Sequence, residues 1–306
     1  MKYAIFSDIH GNLPAFEAAL ADAKEQKVDK FLFIGDYAAN YPWGNEVLDI
    51  IRNLPNAMVI KGNGEDYFIT PPDANVKQFA LAYWAYKNLS PENLEYVKTL
   101  PSYLVEGDIH LHHASSIFFR KPMVEIFHSH FMRQLYNGEI IPHEEYLTRA
   151  KAAILAHPQA VAEIEALPPG VYLFGHNHLQ FFMEYKGRIF INPGSCGEPL
   201  EWDTTAPYTM LTYENGNYTV EERRVEYDVA ATVQNLRESE FATFAPAWNG
   251  VMEEILVTGN DYFYPFLLHL AETSKAMGES GFPVSNEAFD AAASTWVFIP
   301  LDADTT

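Results

Sequence analysis

Apolar positions in the first two hundred residues switch between two periods. Residues 3–6, 31–34 and 58–60 are short, unbroken apolar runs, which predict buried strands. Between them, Phe16, Ala19, Leu20 and Ala23, and then Val47, Leu48, Ile50, Ile51 and Leu54, recur at helical spacing. Asn12 is placed to cap the first of these helices, with Pro14 in its first turn. The alternation predicts β-α-β units around a largely buried sheet, an α/β fold. Residues 75–100 read as helical, with Leu81, Tyr83 and Trp84 toward the core and Ser90-Pro91 opening a helix. Residues 109–113, 171–174 and 188–191 are further strands. Residues 208–213 and 218–223 flank Glu214-Asn215-Gly216-Asn217, a hairpin signal. Residues 115–168 carry a helix-rich pattern without a strand and read as an inserted helical cap. Residues 265–278 and 285–293 are helical and lie in an acidic C-terminal extension, 246–306, distinct from the unit at 1–245. Phe263, Tyr264, Phe266, Leu267, Leu268, Leu270 and Trp296 are too apolar to stay in water, so the extension is expected to pack on the core or on a partner subunit, as in a homo-oligomer.

Composition narrows the partners. With 48% hydrophobic residues over 306 positions, a sizeable core can form. The formal charge of -21 argues against a nucleic-acid polymer or an anionic membrane as the main partner. A small phosphate compound can bind only where local positive charge overrides that field, and bound cations are one source. The single cysteine, Cys196, excludes an internal disulfide framework and reads as a small packed residue. No run approaches the ~20 apolar residues of a membrane span, and the N-terminus lacks the pattern of a signal peptide. The expected location is the cytoplasm.

The chemistry-bearing residues fall where the strands end. Asp8 and His10 follow the first strand, Asp36 the second and Asn63 the third. His113 ends a fourth strand, in competition with its neighbour His112, and His176 and His178 end a fifth. Function in open α/β sheets gathers at the carboxyl ends of strands, so these segments deliver oxygen and nitrogen ligands to one rim. Oxygen and imidazole together suit manganese, iron, zinc, cobalt or nickel better than calcium. Seven such side chains exceed the needs of one ion and suffice for two if one carboxylate bridges.

These segments resemble the calcineurin-like metallophosphoesterase superfamily, in its prokaryotic branch near the diadenosine-tetraphosphatase-like and YfcE-like phosphodiesterases. The stretches that carry the resemblance are SDIHGN at 7–12, GDYAANYPWGNEV at 35–47, KGNGE at 61–65, LHHA at 111–114, FGHNH at 174–178 and NPGS at 192–195. It extends through EWDTTAPY at 201–208 and RRVEYDV at 223–229. The resemblance implies a four-layer α-β-β-α sandwich. It implies one metal held by Asp8, His10, Asp36 and His178, and a second held by Asp36, Asn63, His113 and His176, with Asp36 bridging. Manganese is the foremost expectation. The implied reaction is in-line attack of a metal-bound hydroxide on phosphorus, with Asp36 and Asn63 at its centre, on a phosphodiester or nucleotide. Alternatives are a phosphoprotein or dinucleoside-tetraphosphate phosphatase, and a binding scaffold that has kept the fold without catalysis.

Three positions depart from the family pattern. Gly64 stands where a histidine often assists the leaving group, either as a turn residue at positive φ or as a vacated acid site that admits a bulkier leaving group. Ala114 replaces a favoured glycine, and Leu200-Glu201 replaces a Pro-Arg pair, removing a phosphate-binding arginine. Arg120 and His130 in the inserted stretch, near His128 and Arg133, are candidates to contact the substrate phosphate. Tyr41 and Trp43, in the loop after Asp36, are candidates to stack on a base or aryl group, with simple packing as the alternative.

Overall fold

The computed structural model describes residues 1–115 and 142–298. Strand β1 (Lys2–Phe6) leads into α1 (Leu13–Glu25), β2 (Lys30–Phe33), α2 (Gly44–Asn53), β3 (Ala57–Val59) and a short α3 (Asp66–Ile69). Helices α4 (Ala80–Asn88) and α5 (Pro91–Thr99) follow, then β4 (Tyr103–Glu106) and β5 (Ile109–His112). After the undescribed stretch come α6 (His143–Leu155), α7 (Pro158–Ala166), β6 (Gly170–Leu173), β7 (Gln180–Tyr185), β8 (Arg188–Pro193), β9 (Ala206–Glu214) and β10 (Asn217–Val225). The chain then turns helical: α8 (Val229–Glu238), α9 (Glu240–Phe244), α10 (Pro246–Thr258), α11 (Phe263–Ala276) and α12 (Asn286–Thr295).

The strands form two five-stranded sheets, ordered β10-β9-β1-β2-β3 and β4-β5-β6-β8-β7. Strands β1, β2 and β3 run parallel, as do β5, β6 and β8, and the hairpin partners run antiparallel. Side-chain alternation then divides the core. Tyr3 and Ile5 of β1, Leu32 of β2, Ile109 and Leu111 of β5 and Val171 of β6 form one buried cluster between the sheets. The opposite faces of β1 and β2, through Ala4, Phe6, Phe31 and Phe33, meet Phe16, Leu20, Val47 and Ile51 of α1 and α2. Phe181, Met183 and Phe190 of the second sheet meet Tyr146, Ala150, Ile154 and Ile164 of α6 and α7. This is the expected four-layer α-β-β-α sandwich. Residues 143–166 of the stretch read as a cap thus supply the sandwich's own outer helical layer, and residues 116–141 of it lie outside the described residues.

Two strands escape the sequence pattern, β4 and β7, and both are sheet edges. On β4 the outward positions Tyr103 and Val105 are exposed, so the strand has no continuous apolar run. The C-terminal helices begin earlier than residue 246. Val233 and Leu236 of α8 and Phe241 of α9 join Trp248, Val251, Ile255, Phe266 and Phe289 in one apolar cluster, which also takes in Tyr41 and Leu81. The extension therefore packs on the sandwich beside α4, burying Phe266 and Leu270 fully and Phe263, Leu267 and Trp296 in part, while Leu268 stays exposed.

Candidate metal centre

The parallel strands of both sheets point their carboxyl ends at one rim, and backbone hydrogen bonds stitch the loops there. Asp8 N donates to Gly35 O, His10 N to Asp36 O and Gly175 N to His113 O. The rim backbone is held in an uncommon conformation. Asp8, His10, Asp36, His176 and His178 all have left-handed φ, between 53° and 73°. For residues with a Cβ each such conformation costs ~1–3 kcal/mol and persists only where the surroundings impose it. Glycines make room for the carboxylates. A Cβ on Gly175 would stand 2.1 Å from Ser7 Oγ and 2.6 Å from Asp8 Oδ2, and one on Gly62 would stand 2.1 Å from Asp36 Oδ1.

Two groups of ligand atoms result, Asp8 with His10 and His178, and Asp36 with His113 and His176, each with its atoms within 4.8 Å of one another. Each carboxylate has one oxygen engaged by the chain and one turned inward. Asp8 Oδ2 accepts from Ser7 Oγ at 2.5 Å and His176 N at 3.0 Å, while Oδ1 lies 3.4 Å from His178 Nε2. Asp36 Oδ1 accepts from Gly64 N at 2.6 Å, while Oδ2 lies 3.3 Å from His113 Nε2 and 4.0 Å from His10 Nε2. Asp36 therefore reaches both groups. Asn63 Oδ1 lies 3.1 Å from His113 Nε2 and joins the second. His113 is buried and lies in the second group, whereas His112 is exposed at the end of β5.

The imidazoles show what this arrangement can hold. His113 Nδ1 meets Ile34 O at 2.7 Å and His178 Nδ1 meets Glu198 O at 2.8 Å, so each donates its Nδ1 proton to a carbonyl. In the neutral ring Nε2 then carries a lone pair. For His113 that lone pair faces two oxygens, Asp36 Oδ2 and Asn63 Oδ1; for His178 it faces Asp8 Oδ1 and the His10 Nε2 at 3.1 Å. A ring lone pair set against a carboxylate or amide oxygen needs a proton or a metal cation between them, whereas His10 Nε2 can donate to His178. Protons can fill the role. Burial lowers the His113 pKa, but the Asp36 carboxylate outweighs it and raises the group to about 10. Burial is likewise outweighed at His178, where Asp8 raises it to about 9. Burial pushes the Asp8 carboxyl up, yet His178 and His10 hold it well below the usual range. A divalent ion fits the same positions, because metal binding displaces such protons and the carbonyl-anchored Nδ1 orients each ring for it. His10 Nδ1 is buried with no hydrogen-bond partner among the described residues.

Several contributors carry no expectation from sequence. Glu65 is fully buried and accepts from the backbone N–H of Asp36, Tyr37 and Gly62, at 2.8, 2.8 and 2.7 Å, fixing the loop under the bridging position. Burial and the nearby Asp36 raise it to about 7. Glu198, whose carbonyl orients His178, also faces the cavity over the metal groups and accepts from Asn40 Nδ2 at 2.6 Å. Both sit inside or beside matched motifs, KGNGE and NPGS, which is the signal that could have found them.

Other expected site residues are placed differently. Tyr41 is 2% exposed, its hydroxyl donating to Met252 O at 3.4 Å, and Trp43 is half-buried against the same C-terminal helices. Neither lines the cavity, so packing between loop and extension replaces the stacking role expected of them. Arg120 and His130 lie outside the described residues. Gly64 does line the cavity, and its φ is not left-handed, so conformational freedom does not require glycine there. The space does: a Cβ would stand 2.9 Å from Asp36 Oδ1. Glu201, at the position of the missing arginine, is half-buried and paired with Arg224 at 2.7 Å and His143 at 3.4 Å. Cys196 is fully buried, and burial pushes its thiol pKa up.

A sandwich of two mixed sheets with paired imidazole–carboxylate groups at its strand ends is the arrangement that the resemblance in sequence implied. The chain belongs to the calcineurin-like phosphoesterase family, whose sequence model matches residues 1–180. It is 26% identical over 264 residues to protein MJ0912 of Methanocaldococcus jannaschii, covering 81% of this chain and 95% of that one. Among solved structures it resembles a metallophosphoesterase from Sphaerobacter thermophilus, with 25% identity, a TM-score of 0.62 and coverage of 85% and 100% of the two chains. It shares the fold of protein PH1004 from Pyrococcus horikoshii, with 21% identity, a TM-score of 0.60 and coverage of 85% and 99%. Among the described residues no helix is long and apolar enough to cross a membrane.

Proposed function

We propose that the chain is a dinuclear metal-dependent phosphoesterase that acts on phosphodiester or nucleotide-type substrates. The observation that carries this is Asp36, whose free oxygen faces an imidazole of each group while its other oxygen is held by Gly64 N. Asp8, His10 and His178 would hold one ion with Asp36, and Asn63, His113 and His176 the other. Manganese heads the candidates, since mixed carboxylate and imidazole sites favour first-row metals over calcium. Bound there, the ions supply Lewis acidity toward phosphoryl oxygens and lower the pKa of water. Membership of a metal-dependent family and likeness to the Sphaerobacter metallophosphoesterase support ester hydrolysis.

The chain's own residues set the preference. Gly64 offers no proton to a leaving group, so substrates whose leaving group departs without one are favoured. Glu198 and Asp261 add negative charge to the lining, which penalises a dianionic monoester more than a monoanionic diester. The test is reconstitution with manganese, iron, zinc, cobalt or nickel, elemental analysis, and a panel of bis(p-nitrophenyl) phosphate, p-nitrophenyl phosphate, cyclic nucleotides, dinucleoside polyphosphates and a phosphopeptide. The expected result is two metals per chain and faster turnover of the diester. Hydrolysis of none of them by fully loaded protein would overturn the assignment in favour of a binding scaffold.

A further inference from the structure

The cavity above the two ligand groups holds about 490 Å³ and has two unlike ends. That volume falls in the ~300–1,000 Å³ range of small-molecule sites. One end is the cluster of imidazoles and carboxylates. The other is an apolar wall built from Phe79 and Leu81 on the sandwich side, Phe263 and Leu267 of α11 and Phe282 of the loop before α12, with Tyr67 also on the lining. Gly64 puts no side chain between the ends.

The wall is rigid where it is aromatic. Phe282 meets Phe79 edge-on, with ring centroids 5.8 Å apart. Phe263 stacks at 5.2 Å on Trp248, which is itself fixed by donating Nε1–H to Lys77 O at 3.0 Å. Gln78 Oε1 accepts from Val284 N at 2.9 Å and ties the two halves of the wall together. Yet Phe282 is 76% exposed and Tyr67 41% exposed. Large rings held at a cavity mouth with free faces are suited to an aromatic partner in offset or edge-on geometry. Charge orients that partner. Asp261 and Glu198 are carboxylates on the lining, and among the described lining residues there is neither lysine nor arginine. An anion is therefore favoured only at the metal end, and an uncharged flat group at the wall.

We propose that this wall is the subsite for a flat aromatic group of the substrate, an aryl ring or nucleobase. The C-terminal extension is then a specificity element of the site. The inference rests on the assignment of the phosphate to the paired metal groups. The test compares phenylphosphonate, methylphosphonate and octylphosphonate as competitive inhibitors of metal-loaded wild type and of the Tyr67→Ala, Phe282→Ala double variant. Both changes are at exposed rings, so the core stays intact. Phenylphosphonate should bind about tenfold tighter than methylphosphonate, and the double variant should reduce that ratio to about twofold while methylphosphonate is unaffected. Equal affinity of the two in wild type, an unchanged ratio in the variant, or octylphosphonate matching phenylphosphonate would overturn it. Titration of p-nitrophenol and adenosine into chelator-treated protein, followed by tryptophan fluorescence, separates this failure from that of the metal assignment. Binding lost in the double variant supports the wall even if no phosphonate binds, and tells an aryl preference from a nucleobase preference. No binding of either compound to wild type would overturn it independently of any metal.

Discussion

Two polar clusters in this molecule, one buried and one half-buried, use similar side-chain types to opposite ends. At the strand-end rim, Asp8, Asp36, His10, His113 and His178 converge, and their inward atoms face one another as acceptors. Between the start of α6, β7 and β10, His143 lies 2.9 Å from Glu222 and 3.4 Å from Glu201, and Arg224 lies 2.7 Å from Glu201 and 3.3 Å from Asp203. There each acid meets a cation from the chain itself. The second cluster is a closed ionic network that joins the start of α6 to β10. The first is complete only when something positive is added. A cluster of charges alone therefore does not mark a functional site; charge that its neighbours leave uncompensated does.

Asp36→Asn should separate the two most sharply. Without the shared carboxylate both ligand groups lose an oxygen, and activity should fall at least about 10³-fold, with metal content dropping in parallel. The metal-free chain should still fold, because His113 can shed its extra proton and stay neutral. Elemental analysis and thermal melts in chelator check both halves. A variant that keeps two metals and its turnover would erase the distinction between the clusters.

The converse experiment is Arg224→Met. It leaves Glu201, whose side chain is 8% exposed, with His143 as its remaining cationic partner, and should cost about 3–5 kcal/mol in denaturant unfolding. Turnover per metal-loaded folded molecule should stay within about twofold. Loss of turnover with stability intact would make the network part of the site.

His143 probes the same network through pH. Burial lowers its pKa, but Glu201 and Glu222 outweigh this and raise it to about 9, above the ordinary ~6.5. A raised histidine stabilises fully below its unfolded pKa and loses that contribution as pH rises through its folded one. His143→Gln should therefore be about 2 kcal/mol less stable near pH 6, and the gap should close between about pH 7 and 10. A gap that stays constant with pH would mean that packing, not charge, holds this helix start.

The rim was legible in the sequence and the network was not, for a physical reason. Asp8, Asp36, Asn63 and His176 each come two or three residues after a short apolar run, and His113 follows the alternating Ile109-His110-Leu111-His112, so local pattern alone sends them to a strand end. The sandwich followed from the same runs, while β4 was missed because this edge strand exposes alternate positions, and β7 because Gln180 and Glu184 break its apolar run. Glu201, Arg224 and His143 come from a loop, a hairpin strand and a helix start, and nothing local tells a buried pair from three surface charges. The aromatic wall was invisible for a similar reason. Phe79 and Phe282 meet across some two hundred residues, and Tyr41 and Trp43 were drawn inward by helices whose docking no local period describes.

The smallest expected effect belongs to the pair that only the family resemblance separated. His112 is exposed at the end of β5, its ring 6.0 Å from Tyr103, whereas His113 is buried with Nδ1 on Ile34 O. His112→Gln should change stability by less than about 0.5 kcal/mol and leave metal content and turnover as in wild type. His113→Gln should release one of the two metals, because glutamine lacks the ring that holds a donor 2.7 Å from the carbonyl and a lone pair toward Asp36 at once. Adjacent positions on one strand face opposite ways, so a one-residue register slip would exchange the two outcomes. Measured side by side, the two variants test whether β5 carries the register on which the second ligand group depends.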